Sequence, residues 1–232
     1  MRRTLLLLLA IISLITASAQ DEPTYKREIG VGVGLTNYLG DFNGELLKGY
    51  QPAAALVYRH VYSPYSALKL DLGYATLKGS STDVSTFYPD ADEPTTLLDY
   101  HFKRNLIDLN AAYEYNFLPY GTGRDYRGAQ RFTPYVFIGI GITYATGDGQ
   151  DAAVTANIPL GVGVKYKIGQ RINLGLEWAF HPSLSDKLDG MADPYGVKSS
   201  GIFKNTDSYS TLRLSLTYSF SPKCPTCNKD DW

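Results

Sequence analysis

Apolar residues alternate with small or polar ones over most of the chain, in segments of about ten residues that turn-rich stretches separate. This alternation is typical of β-strands with one apolar face, because successive side chains of a strand point to opposite sides of the sheet. The pattern predicts about eight strands, a number that small membrane barrels use. They are expected at 28–38, 51–61, 66–78, 102–117, 132–146, 153–167, 170–181 and 209–220.

The apolar faces of these strands carry aromatic residues near their ends. A soluble β-sandwich also alternates, but transmembrane barrels in addition place girdles of aromatic side chains at both membrane interfaces. The girdle candidates are Tyr74, Tyr113, Tyr115, Tyr144, Tyr166, Trp178 and Tyr218. We therefore predict an all-β fold, an eight-stranded antiparallel transmembrane β-barrel of OmpA- or OmpW-like size.

The N-terminus has the layout of a secretory signal peptide. Two arginines precede an apolar run from Leu5 to Ile15, and Ala-Ser-Ala precedes Gln20. The run is too short for a membrane helix, and Gln20 in place of cysteine argues against a lipid anchor. We expect a cleaved signal peptide over 1–19, a barrel over 20–220 and a periplasmic tail over 221–232.

Composition agrees with a membrane barrel and excludes little else. The net charge of -1 gives no indication of nucleic-acid binding. The 19 tyrosines fit a membrane surface, because tyrosine joins an apolar ring to a hydroxyl that stays in water. Nothing in the sequence indicates a cofactor or a small-molecule substrate, and the expected surroundings are outer-membrane lipid and lipopolysaccharide.

The lengths of the connections predict which end of the barrel faces the periplasm. With an even number of strands both termini lie on the periplasmic side, where turns are short. The expected inner turns are 62–65, 118–131 and 168–169, whereas the outer loops are 39–50, 79–101, 147–152 and 182–208. The inner turn 118–131 is unusually long and contains Arg124, Arg127 and Arg131. These arginines are candidate contacts for a periplasmic partner, and an ordinary solvated loop is the alternative.

On the inward faces of the strands, the number of negatively charged residues nearly equals the number of positively charged ones. An eight-stranded barrel is only wide enough for side chains to fill it, and buried charges persist when they are paired. We therefore predict an ion-pair network that plugs the lumen. Its members are Glu28, Arg59, Lys69, Asp71, Asp108, Glu114, Lys165, Glu177 and Arg213.

The stretch "GVGVGLTNYLGD" at 30–41 places a glycine at every second position of the first strand. A phosphate-binding loop would need a helix directly after its glycines, and the residues that follow do not form one. Period-two glycines return around Gly139 and Gly161, which a single phosphate loop does not explain. Inward glycines instead leave room for long charged neighbours and ease the coiling of a small barrel.

Catalytic and metal-binding patterns are weak. His181 and Ser183 lie at an outer strand end, where they could act as base and nucleophile of a lipid-modifying enzyme, but no third group that would orient the base can be identified. The outer loops carry many carboxylates without the spacing of a calcium loop. We therefore expect no catalytic, cofactor or metal site.

The tail contains the only two cysteines, Cys224 and Cys227. A C-x-x-C pair also occurs in redox motifs and zinc sites, but a redox site needs a helix N-terminus and zinc usually needs four ligands. In an oxidising periplasm a local disulfide is the expected state, and a bridge to a partner is the alternative.

Several segments together resemble the PorG-type outer-membrane proteins, a DUF6089-like family. They include "REIGVGVGLTNYLGDFNG", "FKRNLIDLNAAYEYNF" and "FTPYVFIGIGITYA", and the resemblance runs from about Glu28 to Phe220. Its best markers are Glu28, Gly30, Asn37, Tyr38, Gly40, Asp41, Glu114 and Asn116. The resemblance implies a non-enzymatic component of the type IX protein secretion system that anchors or docks the periplasmic ring of PorK and PorN at the outer membrane. A small porin or adhesion-type barrel is the alternative, and a lipid-modifying enzyme a further one.

Overall fold

The computed structural model describes residues 25–39, 49–80, 101–122, 129–147, 150–184, 188 and 207–222. These residues form a single antiparallel sheet that closes on itself. The strands are β1 (Tyr25–Leu39), β2 (Gln51–Ser63), β3 (Ser66–Ser80), β4 (His101–Asn116), β5 (Phe132–Gly147), β6 (Gln150–Asn157), β7 (Leu160–Lys167), β8 (Ile172–Pro182) and β9 (Ser208–Pro222). Apart from β6 and β7, which do not pair with each other, consecutive strands pair along the sequence, and β9 pairs with β1 to complete the ring.

The nine strands occupy eight positions around the ring, because β6 and β7 both pair with β5 and lie end to end. The prediction of one continuous strand over 153–167 is therefore wrong in detail. Pro159 has no N–H to donate and interrupts the ladder. Backbone bonds still hold the break in place, since Ile158 N donates to Pro182 O at 3.1 Å and Gly139 N donates to Pro159 O at 2.8 Å. The predicted eight-stranded antiparallel barrel is confirmed.

The two faces of the sheet differ in chemistry along every strand. Outward side chains are apolar and exposed, as with Ile140 at 73% and Val154 at 68%, whereas inward ones such as Glu114 and Asn116 are buried. All seven girdle candidates lie on the exposed face. An apolar exterior around a polar, closed interior is the arrangement of a transmembrane barrel. Among the described residues no helix has the length and apolar character needed to cross a membrane.

Two inward glycines of β1 show why small residues recur there. A Cβ on Gly30 would lie 2.1 Å from the backbone oxygen of Leu216 on the neighbouring strand, so the two backbones approach more closely than another residue allows. A Cβ on Gly32 would instead meet the Arg213 side chain at 2.8 Å. The first glycine permits strong coiling, and the second leaves room for a long charged neighbour.

Tyr25 and Pro222 pair with each other, so both ends of the described barrel emerge on the same side. We call that side the inner end and the opposite side the outer end. The proposed signal peptide, most of the tail and the acidic segments of the outer loops lie outside the described residues.

Candidate functional site: the filled lumen and its inner end

The lumen holds all nine charged residues of the predicted network. Eight of these residues are at most 7% exposed, and the ninth, Arg213, has a side chain that is 11% exposed. They come from seven different strands, whose alternation turns one face of each strand inward. Eight of them form one connected set of ion pairs, the inner network: Glu28, Arg59, Lys69, Asp71, Glu114, Lys165, Glu177 and Arg213.

Glu114 is the centre of the part of the network nearest the inner end. Its carboxylate is fully buried and accepts from Arg59 Nε at 3.0 Å and from Lys165 Nζ at 2.5 Å. Lys69 Nζ lies 3.9 Å from its other oxygen, and Arg59 also reaches Glu28 at 3.4 Å. A buried carboxylate with three cations around it stays ionised and holds β2, β3, β4 and β7 together across the lumen.

Glu177 is the second centre of the network. Lys69 Nζ donates to it at 2.6 Å and Arg213 Nη2 at 2.7 Å, while the hydroxyl of Tyr135 donates at 2.8 Å. Arg213 also contacts Asp71 at 3.4 Å. Because Lys69 contacts both Glu114 and Glu177, the two centres form one continuous bridge through the middle of the barrel.

Asp108 is the exception among the nine predicted residues. It accepts from Asn110 Nδ2 at 3.0 Å and from the Tyr209 hydroxyl at 3.3 Å. Within the part of the chain that the structure describes, no cation lies within ion-pair distance of its carboxylate. The strand alternation predicts that Asp108 faces inward, but it does not predict which side chains meet it there.

Two buried cations were missing from the sequence prediction. Arg104 is fully buried and donates to the carbonyl oxygen of Ala145 at 3.3 Å. Lys167 is 5% exposed and donates to Asn173 Oδ1 at 2.7 Å. Both have the same parity as predicted members of their strands, Asp108 and Lys165, so the alternation itself could have identified them.

The inner end of the lumen is closed by Tyr120, which lies near the start of the long turn after β4. Its hydroxyl donates to Asn173 Oδ1 at 3.0 Å, and the ammonium groups of Lys165 and Lys167 lie 5.8 Å and 5.6 Å from its ring centroid. Burial, together with the Glu28 carboxylate, raises the pKa of this hydroxyl well above its usual range, so it remains a neutral donor.

Backbone bonds hold both ends of the same turn. Tyr120 N donates to Pro64 O at 3.1 Å, while Gly121 N donates to Gln130 O at 3.0 Å. Of the three candidate contact arginines, Arg131 is half-buried at the end of this turn, and its carbonyl accepts from Lys167 N at 2.8 Å. Arg124 and Arg127 lie outside the described residues, as do Cys224 and Cys227.

The outer end of the lumen has a different filling. An apolar group that we call the outer cluster lies there: Tyr38, Ala75, Leu77, Phe102, Leu106, Ala145, Leu188 and Tyr209. Tyr38 and Phe102 pack edge to face with ring centroids 5.0 Å apart. The Tyr38 hydroxyl donates to Asp207, whose carboxylate also accepts from Leu188 N at 2.8 Å.

His181 and Ser183 share the lumen face, because β8 continues through Pro182. The His181 ring stacks on Tyr209 at 4.4 Å, and Ser183 Oγ lies 2.9 Å from Thr155 Oγ1. Both side chains are buried inside the barrel and face away from the membrane. In the described ranges, no group of three or more potential metal-ligating side chains is found.

An apolar outer wall around a filled polar lumen defines a small transmembrane β-barrel of the outer-membrane type. The chain belongs to the DUF6089 family, described as a domain of unknown function, whose profile matches residues 2–229. A comparison with curated proteins finds no match.

Several solved barrels are similar to this chain. One is the attachment invasion locus protein Ail of Yersinia pestis, which was solved in complex with the heparin analogue sucrose octasulfate. Its sequence identity is 12% and its TM-score 0.44, and the match covers 84% of this chain and 99% of the Ail chain. Neisserial surface protein A has 17% identity and a TM-score of 0.44, and the match covers 86% of this chain and 100% of that chain. OprG of Pseudomonas aeruginosa has 11% identity and a TM-score of 0.47, and the match covers 88% of this chain and 99% of that chain.

Proposed function

We propose that this protein is a non-enzymatic outer-membrane component of the type IX protein secretion system, with both termini in the periplasm, which anchors the periplasmic ring of PorK and PorN at the outer membrane. The resemblance of its strands to PorG-type proteins supports the proposal, and so does its membership of the DUF6089 family.

The filled lumen is the observation that carries the proposal. The bridge from Glu28 through Glu114 and Lys69 to Glu177 and Arg213 occupies the interior with paired charges. A barrel filled in this way gives solutes no aqueous path, which favours a role as an anchor over a role as a porin. The buried positions of His181 and Ser183 give no support to a lipid-modifying activity.

The long inner turn is the surface that we assign to the ring. Tyr120 and the backbone bonds around it fasten the described ends of this turn to the inner end of the barrel. In sequence, the turn carries Arg124, Arg127 and Arg131, with Asp125 as its one acidic residue. We assign the tail that contains Cys224 and Cys227 as a second contact.

Co-purification from native membranes tests the proposal. The full chain should retain PorK and PorN, and its deletion should leave secreted cargo inside the cell. Replacement of Arg124, Arg127 and Arg131 by alanine should release the ring, whereas replacement by lysine, which keeps the charge, should retain more of it. Removal of 221–232 tests the tail separately.

Other outcomes would favour the alternative functions. If neither the arginine variant nor the truncation weakens ring association, the assigned surfaces are wrong, and if the full chain retains no ring, the proposed function is wrong. Large, stable openings in planar-bilayer recordings would indicate a porin. A changed lipid A mass spectrum after deletion would indicate an enzyme.

A further inference from the structure

Arg171 and Tyr218 are exposed on the membrane-facing side of the inner end and form a cluster with Tyr25, which is 8% exposed. Arg171 lies in the turn before β8, Tyr25 begins β1, and Tyr218 lies on the exposed face of β9. Arg171 Nε donates to the Tyr25 hydroxyl at 3.0 Å and Nη1 donates to the Tyr218 hydroxyl at 2.6 Å. The guanidinium carbon lies 5.3 Å and 5.8 Å from the two ring centroids. Two rings therefore hold the guanidinium in one orientation.

The cluster offers hydrogen-bond donors and no charged acceptor. An arginine has five N–H donors, so the two bonds to tyrosine leave others available. The oxygen of the exposed Tyr218 already accepts from Arg171, which leaves the hydrogen of this hydroxyl free to donate to a ligand. Among the described residues no carboxylate lies within ion-pair distance of Arg171. Converging donors with one positive charge fit an anionic oxygen group, and arginine matches phosphate geometry especially well.

The surface beside the cluster is apolar and leads toward the middle of the membrane. Ile172 and Leu174 on β8 lie beside Tyr218 and Leu216 on β9. Beyond them is a shallow concavity of about 360 Å³, lined by Phe117, Pro134, Tyr135, Val136, Val162, Gly163, Val164, Leu176, Trp178 and Leu212. Leu176 follows Arg171 by five residues, roughly 17 Å along an extended strand. A hydrocarbon chain can cover that distance.

We propose that the Arg171, Tyr25 and Tyr218 cluster binds the phosphate of a phospholipid in the leaflet at the inner end of the barrel, with one acyl chain lying along β8 and β9 toward the concavity. The membrane-facing position of Tyr218 and the apolar path beside it favour a lipid over a soluble anion. The site is independent of the proposed role in secretion, since it faces the bilayer.

Native mass spectrometry of the folded full chain in detergent micelles tests this site. Titration with palmitoyl-oleoyl-phosphatidylglycerol should give a bound lipid that survives detergent removal. Arg171→Gln should weaken binding roughly tenfold, because it removes a charge-assisted contact, and Tyr218→Phe should weaken it roughly threefold. Arg27→Gln is the matched control, since Arg27 is an exposed arginine of the same rim and should leave binding unchanged.

Two further ligands show whether the site recognises the phosphate of a phospholipid, free phosphate or only the acyl chains. Diacylglycerol with the same chains should bind at least about tenfold more weakly, since it lacks the phosphate. Inorganic phosphate should not displace the lipid at equal concentration. The proposal is overturned if Arg171→Gln and Arg27→Gln bind alike, if diacylglycerol binds as well as the phospholipid, or if inorganic phosphate competes equally. Unfolding measured in parallel shows whether a variant lost the site or the fold.

Discussion

The inner and outer halves of the lumen are both filled by side chains, but with different chemistry. In the inner half the side chains are charged and paired, with Glu114 and Glu177 as centres. In the outer half the apolar and aromatic outer cluster around Leu77 and Phe102 lies beside buried polar side chains such as Arg104 and His181. An apolar filling tolerates exchange of similar volumes, whereas a charged filling requires each partner to be present. The inner half therefore specifies which strands meet, and the outer half mainly excludes water.

Removal of the Glu114 carboxylate should have the largest effect on the free energy of unfolding. Glu114→Ala leaves Arg59 and Lys165 buried without their main partner, and we expect the free energy of unfolding to fall by about 3–5 kcal/mol. This loss is measured by urea titration of the barrel in phospholipid vesicles, with tryptophan fluorescence as the signal of unfolding. A loss below about 1 kcal/mol would mean that water or movement of the cations replaces the carboxylate.

A truncation in the outer cluster should cost somewhat less. Leu77 is fully buried, so Leu77→Ala creates a cavity and should lower the free energy of unfolding by about 3 kcal/mol in the same titration. The control is Leu77→Met, which keeps the volume and should cost less than about 1.5 kcal/mol. Equal losses for both variants would show that the outer half is not filled by close packing.

The close approach of the β1 and β9 backbones at Gly30 should be the next most sensitive feature, measured by the free energy of unfolding. Gly30→Ala places a Cβ against the Leu216 carbonyl, and we expect a loss of about 1–3 kcal/mol from the forced shift of the strands. Gly169→Ala is the matched control, since a Cβ there has nothing within 4 Å and should be nearly neutral. If both alanines are neutral, the close approach of β1 and β9 does not require glycine.

Among these four positions, a substitution at Asp108, which has no cation within ion-pair distance among the described residues, should change the free energy of unfolding least. Asp108→Asn keeps an oxygen that can accept from the Tyr209 hydroxyl, so we expect a loss of about 1 kcal/mol or less. Glu114→Gln, measured beside it, should lose clearly more because it removes a charge that three cations share. Similar losses for the two amides would remove the distinction between charged pairing and simple hydrogen bonding in this lumen.

The strands and their inward faces could be predicted because both depend on local alternation. In β4, for example, every second residue from Asp108 to Asn116 faces the lumen, as the period of two requires. The break at Pro159 could not be read from that pattern, because the alternation of odd-numbered inward residues continues across it from Thr155 to Gly161. A proline alone does not say whether a strand ends or only interrupts its ladder.

The partners inside the lumen could not be predicted for a different reason. Arg59 and Glu114 are 55 residues apart, and they meet because of the stagger between strands that the sequence does not show. The same stagger leaves Asp108 beside Asn110 and Tyr209 instead of a cation. Prediction of inward charges therefore gives the members of a network, while its connections require the closed barrel.

The pairing of β1 with β9 also determines when the barrel can be completed. This seam joins the first and last strands, and Ser219 at its inner end lies 191 residues from Glu28, to which it donates at 3.4 Å. Contacts of such long range form late and slowly, because the loop-closure entropy must be lost before they contribute. A chain that is still incomplete can pair β1 with β2 and build hairpins one after another, but the second edge of β1 has no partner. Closure of the ring, and with it the filled lumen, must wait for the last strand.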